Sequence, residues 1–115
     1  MVIPPSHRSA FCKFRCGVAP IRIETGRYEN ILEEERFCPF CKTVVEDEIH
    51  VMLDCPVYEE FRQVLLLKAS DIHNNLMMLG KNDILKVLFT HPSLIRICAK
   101  TCFNVLKRRT QLLCK

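Results

Sequence analysis

The chain has 115 residues, of which 49% are hydrophobic and 26% charged, with a formal net charge of +4. That length suits a single domain, 1–115, burying roughly two-thirds of the surface its unfolded form exposes, and the composition excludes a disordered tail. No apolar run approaches the ~20 residues a membrane span needs. Because Met1-Val2-Ile3-Pro4-Pro5 lacks the charged-then-apolar layout of a secretory signal, we expect an intracellular protein, in cytoplasm or nucleus, with reduced thiols.

Taken in chain order, Ser6 and Gly17 read as the N-cap and the C-terminal glycine of a helix over roughly 7–16, with Ala10, Phe11 and Phe14 at helical spacing. Ile21-Arg22-Ile23-Glu24 alternates as a short strand would. An acidic connector then runs to Arg36. After Cys55-Pro56, the positions Val57, Phe61, Val64, Leu65 and Lys68 predict an apolar helical stripe ending in a lysine. Ser70 to Asn75 is turn-rich, and Met77 and Met78 read as core fill. Asn82 or Asp83 caps a short helix carrying Ile84, Leu85, Leu88 and Phe89. Thr90-His91-Pro92 breaks it and opens a last helix, with Leu94, Ile95, Cys98, Cys102, Val105 and Leu106 on one face and Arg96, Lys100, Asn104 and Lys107 on the other. With Cys38, Cys41, His50 and Cys55 at the spacing of a structural zinc site, the expectation is a mainly α, small zinc-stapled helical domain with little or no β-structure. It would comprise an N-terminal helix and connector (1–36), a zinc knuckle (37–56) and a helical part with a basic C-terminal helix (57–115).

The chemistry concentrates in Cys38-Pro39-Phe40-Cys41, then His50, then Cys55, a C-x2-C-x8-H-x4-C pattern. Three thiolates and one imidazole form the ligand set of a closed, structural Zn²⁺ site with no position left for a catalytic water. Pro39 stiffens the knuckle, and 46–53 reads as one or two helical turns offering His50. In an α-helix His50 and Cys55 would project about 140° apart, so the helix should end near Asp54 and let Cys55 swing back. Such a site can contribute ~10 kcal/mol or more to folding. Three thiolates leave a net charge near −1, for Lys42 or another basic neighbour to offset. The bland alternative is three buried thiols and a core histidine. Cobalt or iron would accept the same ligands; softness and closed geometry argue for zinc. Cys12/Cys16 and Cys98/Cys102, each at i, i+4, are either a second metal site or core thiols. Phe37 and Phe40, beside the first ligands, either stack on bases or pack against the site.

Charge is segregated. Residues 29–60 carry ten acidic side chains against Arg36 and Lys42, whereas from Ile84 onward Lys86, Arg96, Lys100, Lys107, Arg108, Arg109 and Lys115 meet no acid. A basic end of this kind is an electrostatic footprint for nucleic acid, or simply a solvated face and tail. The candidate phosphate contacts are Arg96, Lys100, Lys107, Arg108 and Arg109. No adjacent pair of aspartates occurs, no nuclease carboxylate cluster can be assembled, and no spare cysteine is paired in sequence with a histidine. No catalytic activity is therefore expected.

Cys38-Pro39-Phe40-Cys41, Glu48-Ile49-His50, Val51-Met52-Leu53-Asp54 and Cys55-Pro56 together resemble the zinc-binding motif downstream of the polymerase in LINE-type (non-LTR) retrotransposon reverse transcriptases. Weaker likenesses flank it: Lys13-Phe14-Arg15-Cys16-Gly17, Ile23-Glu24-Thr25-Gly26-Arg27-Tyr28 and Glu34-Glu35-Arg36 before it, then His91-Pro92-Ser93-Leu94, Ala99-Lys100-Thr101-Cys102 and Lys107-Arg108-Arg109 after it. The resemblance implies the detached C-terminal region of such a protein, which helps hold RNA or DNA during reverse transcription and lies beside a reverse-transcriptase domain. Residue by residue it assigns only Cys38, Cys41, His50 and Cys55, as metal ligands. Two functions remain open: a module binding RNA or single-stranded DNA, and a zinc-stapled protein-docking domain that binds no nucleic acid.

Overall fold

A computed structural model describes residues 3–114; Met1 and Val2 of the N-terminal reading and Lys115 of the basic end lie outside them. The mainly α expectation holds. The helices are α1 (Pro5–Arg15), α2 (Arg22–Tyr28), α3 (Glu59–Ile72), α4 (Lys81–Thr90) and α5 (Ile95–Leu113), joined by short 3-10 turns and one π turn. The only extended pairing among the described residues is one antiparallel bridge, Phe37 to Val45.

Helix α5 is the spine, with α1, α3 and α4 packed on it. Its buried face is Cys98, Ala99, Thr101, Cys102, Val105 and Arg109, while Arg96, Lys100 and Lys107 face solvent. Helix α1 contributes Ala10, Phe11 and Phe14, with Phe11 stacked on Phe89 of α4 at 5.1 Å. One cluster of buried side chains runs from α1 through the 38–55 segment to α5.

Helix α1 starts at Pro5 behind an extended Pro4, not at Ser6, because proline at the first helical position carries no amide that would go unpaired. Its end is as the sequence implies. Gly17 takes φ +72°, its N–H reaches Phe14 O at 3.3 Å, and Val18 N–H reaches Lys13 O at 2.9 Å. This pair of bonds closes a Schellman motif.

Three local expectations are corrected. The predicted strand at 21–24 is the start of helix α2. Its opening amides have found a partner distant in sequence: Arg22 N–H donates to Glu46 Oε1 at 2.7 Å and Ile23 N–H to Glu46 O at 2.9 Å. The predicted stripe on α3 is rotated: Tyr58, Arg62, Leu65 and Ala69 face inward, whereas Val64 and Lys68 are exposed. A 3-10 turn over Pro56–Tyr58 resets the angular register, and carbonyls at the metal loop draw Arg62 inward. Met77 and Met78 are exposed, because Asn75 in the left-handed region (φ +64°) turns the chain so that only Leu76 of that turn is buried.

Glu46 joins these parts. It is fully buried, and its carboxylate accepts from Arg109 Nη2 at 2.7 Å and Nε at 3.2 Å, as well as from Arg22 N–H. This two-point ion pair ties the 37–55 segment to α5. Removing one partner of a buried pair strands the other charge away from water. Arg109→Ala should therefore lower stability by about 3–5 kcal/mol, read from urea unfolding. A change of a few tenths, as expected for a surface arginine, would contradict this role.

Candidate metal centre

The knuckle is built by backbone hydrogen bonds around the Phe37–Val45 bridge. Cys38 N–H donates to Val44 O at 2.8 Å, Glu46 N–H to Arg36 O at 2.9 Å, and Lys42 N–H to Cys38 O at 2.8 Å. Lys42 sits at φ +68° to return the chain, a conformation that costs a side-chain-bearing residue something. The result presents Cys38 and Cys41 on one tight turn.

His50 and Cys55 come from the second element. Asp47 opens it, with Oδ1 accepting His50 N–H at 2.8 Å, the bond of an N-cap. The chain then widens into a π turn over His50–Asp54, where Cys55 N–H reaches His50 O. An i→i+5 turn brings the fifth residue on to nearly the face of the first. That resolves the angular conflict expected of an α-helix. Cys55 itself leaves in an extended conformation (φ −65°, ψ 122°) and Pro56 follows.

The ligand atoms of Cys38, Cys41, His50 and Cys55 all lie within 4.8 Å of one another. Cys55 Sγ is 4.0 Å from Cys38 Sγ and 3.9 Å from Cys41 Sγ. Tetrahedral thiolate ligands at ~2.3 Å from zinc would be about 3.8 Å apart. The histidine supplies an independent observation. His50 is buried, and neither ring nitrogen has a hydrogen-bond partner among the described residues. An imidazole without partners is costly in a core, and ligation satisfies it. These four residues are thus positioned to hold one metal ion.

The surroundings are dry. Burial pushes the Cys55 thiol up to about 12 and raises Cys38 as well. Tyr58 is raised for the same reason, and its buried hydroxyl is unpaired. Phe40 packs edge-on to Tyr58 at 6.4 Å, so it belongs to the core of the site, whereas Phe37 is exposed. Lys42 is exposed too. The cation held against this loop is Arg62, whose guanidinium donates to Met52 O at 3.0 Å, to Val51 O at 3.4 Å and to Cys55 O. Sequence patterning missed Arg62 and Glu46 and placed Arg109 among the surface cations, since a charged side chain reads as surface in a window of sequence.

The other candidates are dispersed. Cys98 and Cys102 are buried on α5, while Cys12 on α1 and Cys16 at its C-terminal cap are exposed. Burial, with Cys98 beside it, holds the Cys102 thiol well above its ordinary range. Among the described residues only Cys38, Cys41, His50 and Cys55 gather as a metal-ligand group.

The five basic candidates divide. Arg96, Lys100 and Lys107 are exposed along α5. Arg109 is not a free surface cation, being folded onto Glu46. Arg108 is half-buried: it lies 4.2 Å above the Phe61 ring, donates to Val57 O at 3.2 Å and pairs with Glu60. Both arginines thus fasten α5 to its neighbours. No helix of the described residues is long and apolar enough to cross a membrane. Comparison with protein-family models, curated proteins and solved structures finds no match to this chain.

Because thiols raised by burial are neutral at pH 7, the ion must displace their protons. Calorimetric titration of the metal-free protein with Zn²⁺ at pH 7 should give an enthalpy that changes with the ionisation enthalpy of the buffer, through release of two or more protons. A buffer-independent enthalpy would contradict ligation by these thiols.

Proposed function

We propose that the chain is a non-catalytic, zinc-stapled helical module that binds RNA or single-stranded DNA through the exposed basic face of α5. In this reading Cys38, Cys41, His50 and Cys55 hold one structural Zn²⁺, leaving no ligand position for a substrate. The ion fixes the 37–55 segment, and Glu46–Arg109 passes that order on to α5. The module corresponds to the C-terminal region of LINE-type reverse transcriptases, which its zinc motif resembles.

The observation that carries the nucleic-acid reading is a groove of about 580 Å³ between α3 and α5. Lys68, Arg96 and Lys100 line it beside Phe61, Val64 and Ile97, and Glu60, the one acid in its wall among the described residues, is paired with Arg108. Cations beside an apolar floor suit a strand whose phosphates seek charge and whose bases seek a dry surface. Contacts of this kind bind with little base specificity.

A second reading, docking against a reverse-transcriptase domain, draws on the exposure of Leu67, Met77 and Met78, the last 83% exposed. Large apolar side chains left in water favour a protein partner.

Salt dependence separates the two. For the wild-type chain log K for a single-stranded RNA should fall steeply with log salt. Replacing Arg96, Lys100 and Lys107 together with alanine should flatten that slope by about 2 units if each neutralises a phosphate. An unchanged slope would remove these residues from the interface, and absence of salt-sensitive binding in the wild type would favour docking.

A further inference from the structure

Arg62 is a buried cation with no carboxylate bound to it. It is 8% exposed, and none of the ion pairs among the described residues includes it. The carboxylates of Asp54 and Glu59 act on it only without contact: Asp54 pairs with Lys81 at 2.8 Å, and Glu59 is exposed. All its recorded bonds go to the carbonyls of Val51, Met52 and Cys55, on the turn that carries two of the four metal ligands. Carbonyl dipoles solvate a guanidinium but do not neutralise it, and a buried charge without a counter-charge is expensive.

The missing negative charge arises when the site is filled. Three thiolates and a neutral imidazole around a divalent ion carry a net charge of −1, and Cys55 is both a ligand and a bonding partner of Arg62. We infer that Arg62 is the counter-ion of the loaded centre: a positioning residue that sets metal affinity by matching the −1 charge of a three-thiolate, one-imidazole complex. It thereby favours a divalent ion held by three cysteines over a complex of other charge. The inference rests on the metal-site reading above and adds an electrostatic role to the visible carbonyl contacts, which alone would only hold the turn in shape.

A double-mutant cycle separates charge from shape. Zn²⁺ affinity is measured on the full chain by competition with a chromophoric chelator, and Co²⁺ absorption reports the thiolate ligand field. Arg62→Gln keeps a donor for the carbonyls and loses the charge; Arg62→Lys keeps both. Outer-sphere partners of a metal site typically govern 10–100-fold in affinity, so Arg62→Gln should weaken Zn²⁺ binding by about that factor. Arg62→Lys should stay within about threefold, on the same charge argument. In a Cys41→His background, whose complex is neutral, Arg62→Gln should change affinity by less than about threefold, since no net charge remains to match. Equal losses in the Gln and Lys variants, loss of fold in both, or an unchanged Gln effect in the Cys41→His background would each overturn the charge role and leave Arg62 a carbonyl clamp. A wild-type chain that takes up neither Zn²⁺ nor Co²⁺ would overturn the metal-site reading itself, and the inference with it.

Discussion

The architecture depends on one buried carboxylate. Glu46 sits where the metal loop, the start of α2 and the far end of α5 meet, and every polar group it carries there is used: its amide in the bridge to Arg36, its carbonyl on Ile23, and its carboxylate on Arg22 N–H and Arg109. A buried carboxylate is tolerated only when its charge and its hydrogen bonds are both met. Arg109 meets the first need, and the three elements must converge to meet the second. Such a contact stabilises less than its geometry suggests, because desolvation offsets much of the attraction. Its larger effect is on which arrangement of the helices is allowed, since a displaced α5 leaves the carboxylate uncompensated.

The metal loop extends the same logic. Its two halves, a knuckle and a π turn, bury His50 and two of the three cysteines, and the local backbone is arranged around ligand direction. Lys42 accepts a left-handed conformation to close the knuckle, and the helix widens so that residues five apart face one point. Without an ion the loop would keep a partnerless imidazole and neutral thiols in its core; with one, those groups become the strongest bonds in the segment. Arg62 bonds the carbonyls of the turn from α3, and Arg109 neutralises Glu46 from α5, so that these two contacts link the loop to the helices on either side.

The metal ligands were legible because their chemistry depends on residue type and spacing, and both are local. The helices around Phe11, Leu88 and Cys98 were legible for the same reason, as was the glycine stop at Gly17. What could not be read was decided by contacts distant in sequence. Arg22 begins a helix, not a strand, because Glu46, 24 residues on, accepts its amide. Arg62 and Arg109 resemble solvated surface cations in any window of sequence, and only the fold reveals that each has been drawn inward. The face of α3 shifted for a geometric reason, since a 3-10 turn at Pro56–Tyr58 advances the chain by a different angle from an α turn. The basic character of α5 was visible as composition, but its division into Arg96, Lys100 and Lys107, which face solvent, and Arg108 and Arg109, which hold the fold, was not.

In the proposed reading a metal ion staples the 37–55 segment onto helices α1, α4 and α5, which hold together by packing. Hydrogen exchange measured by mass spectrometry on the zinc-loaded protein, before and after chelation, tests it most directly. Removing the ion should deprotect amides from Cys38 through Tyr58 by orders of magnitude, with a smaller change in the packed middle of α5. Exchange in that segment that is the same with and without the ion would contradict it.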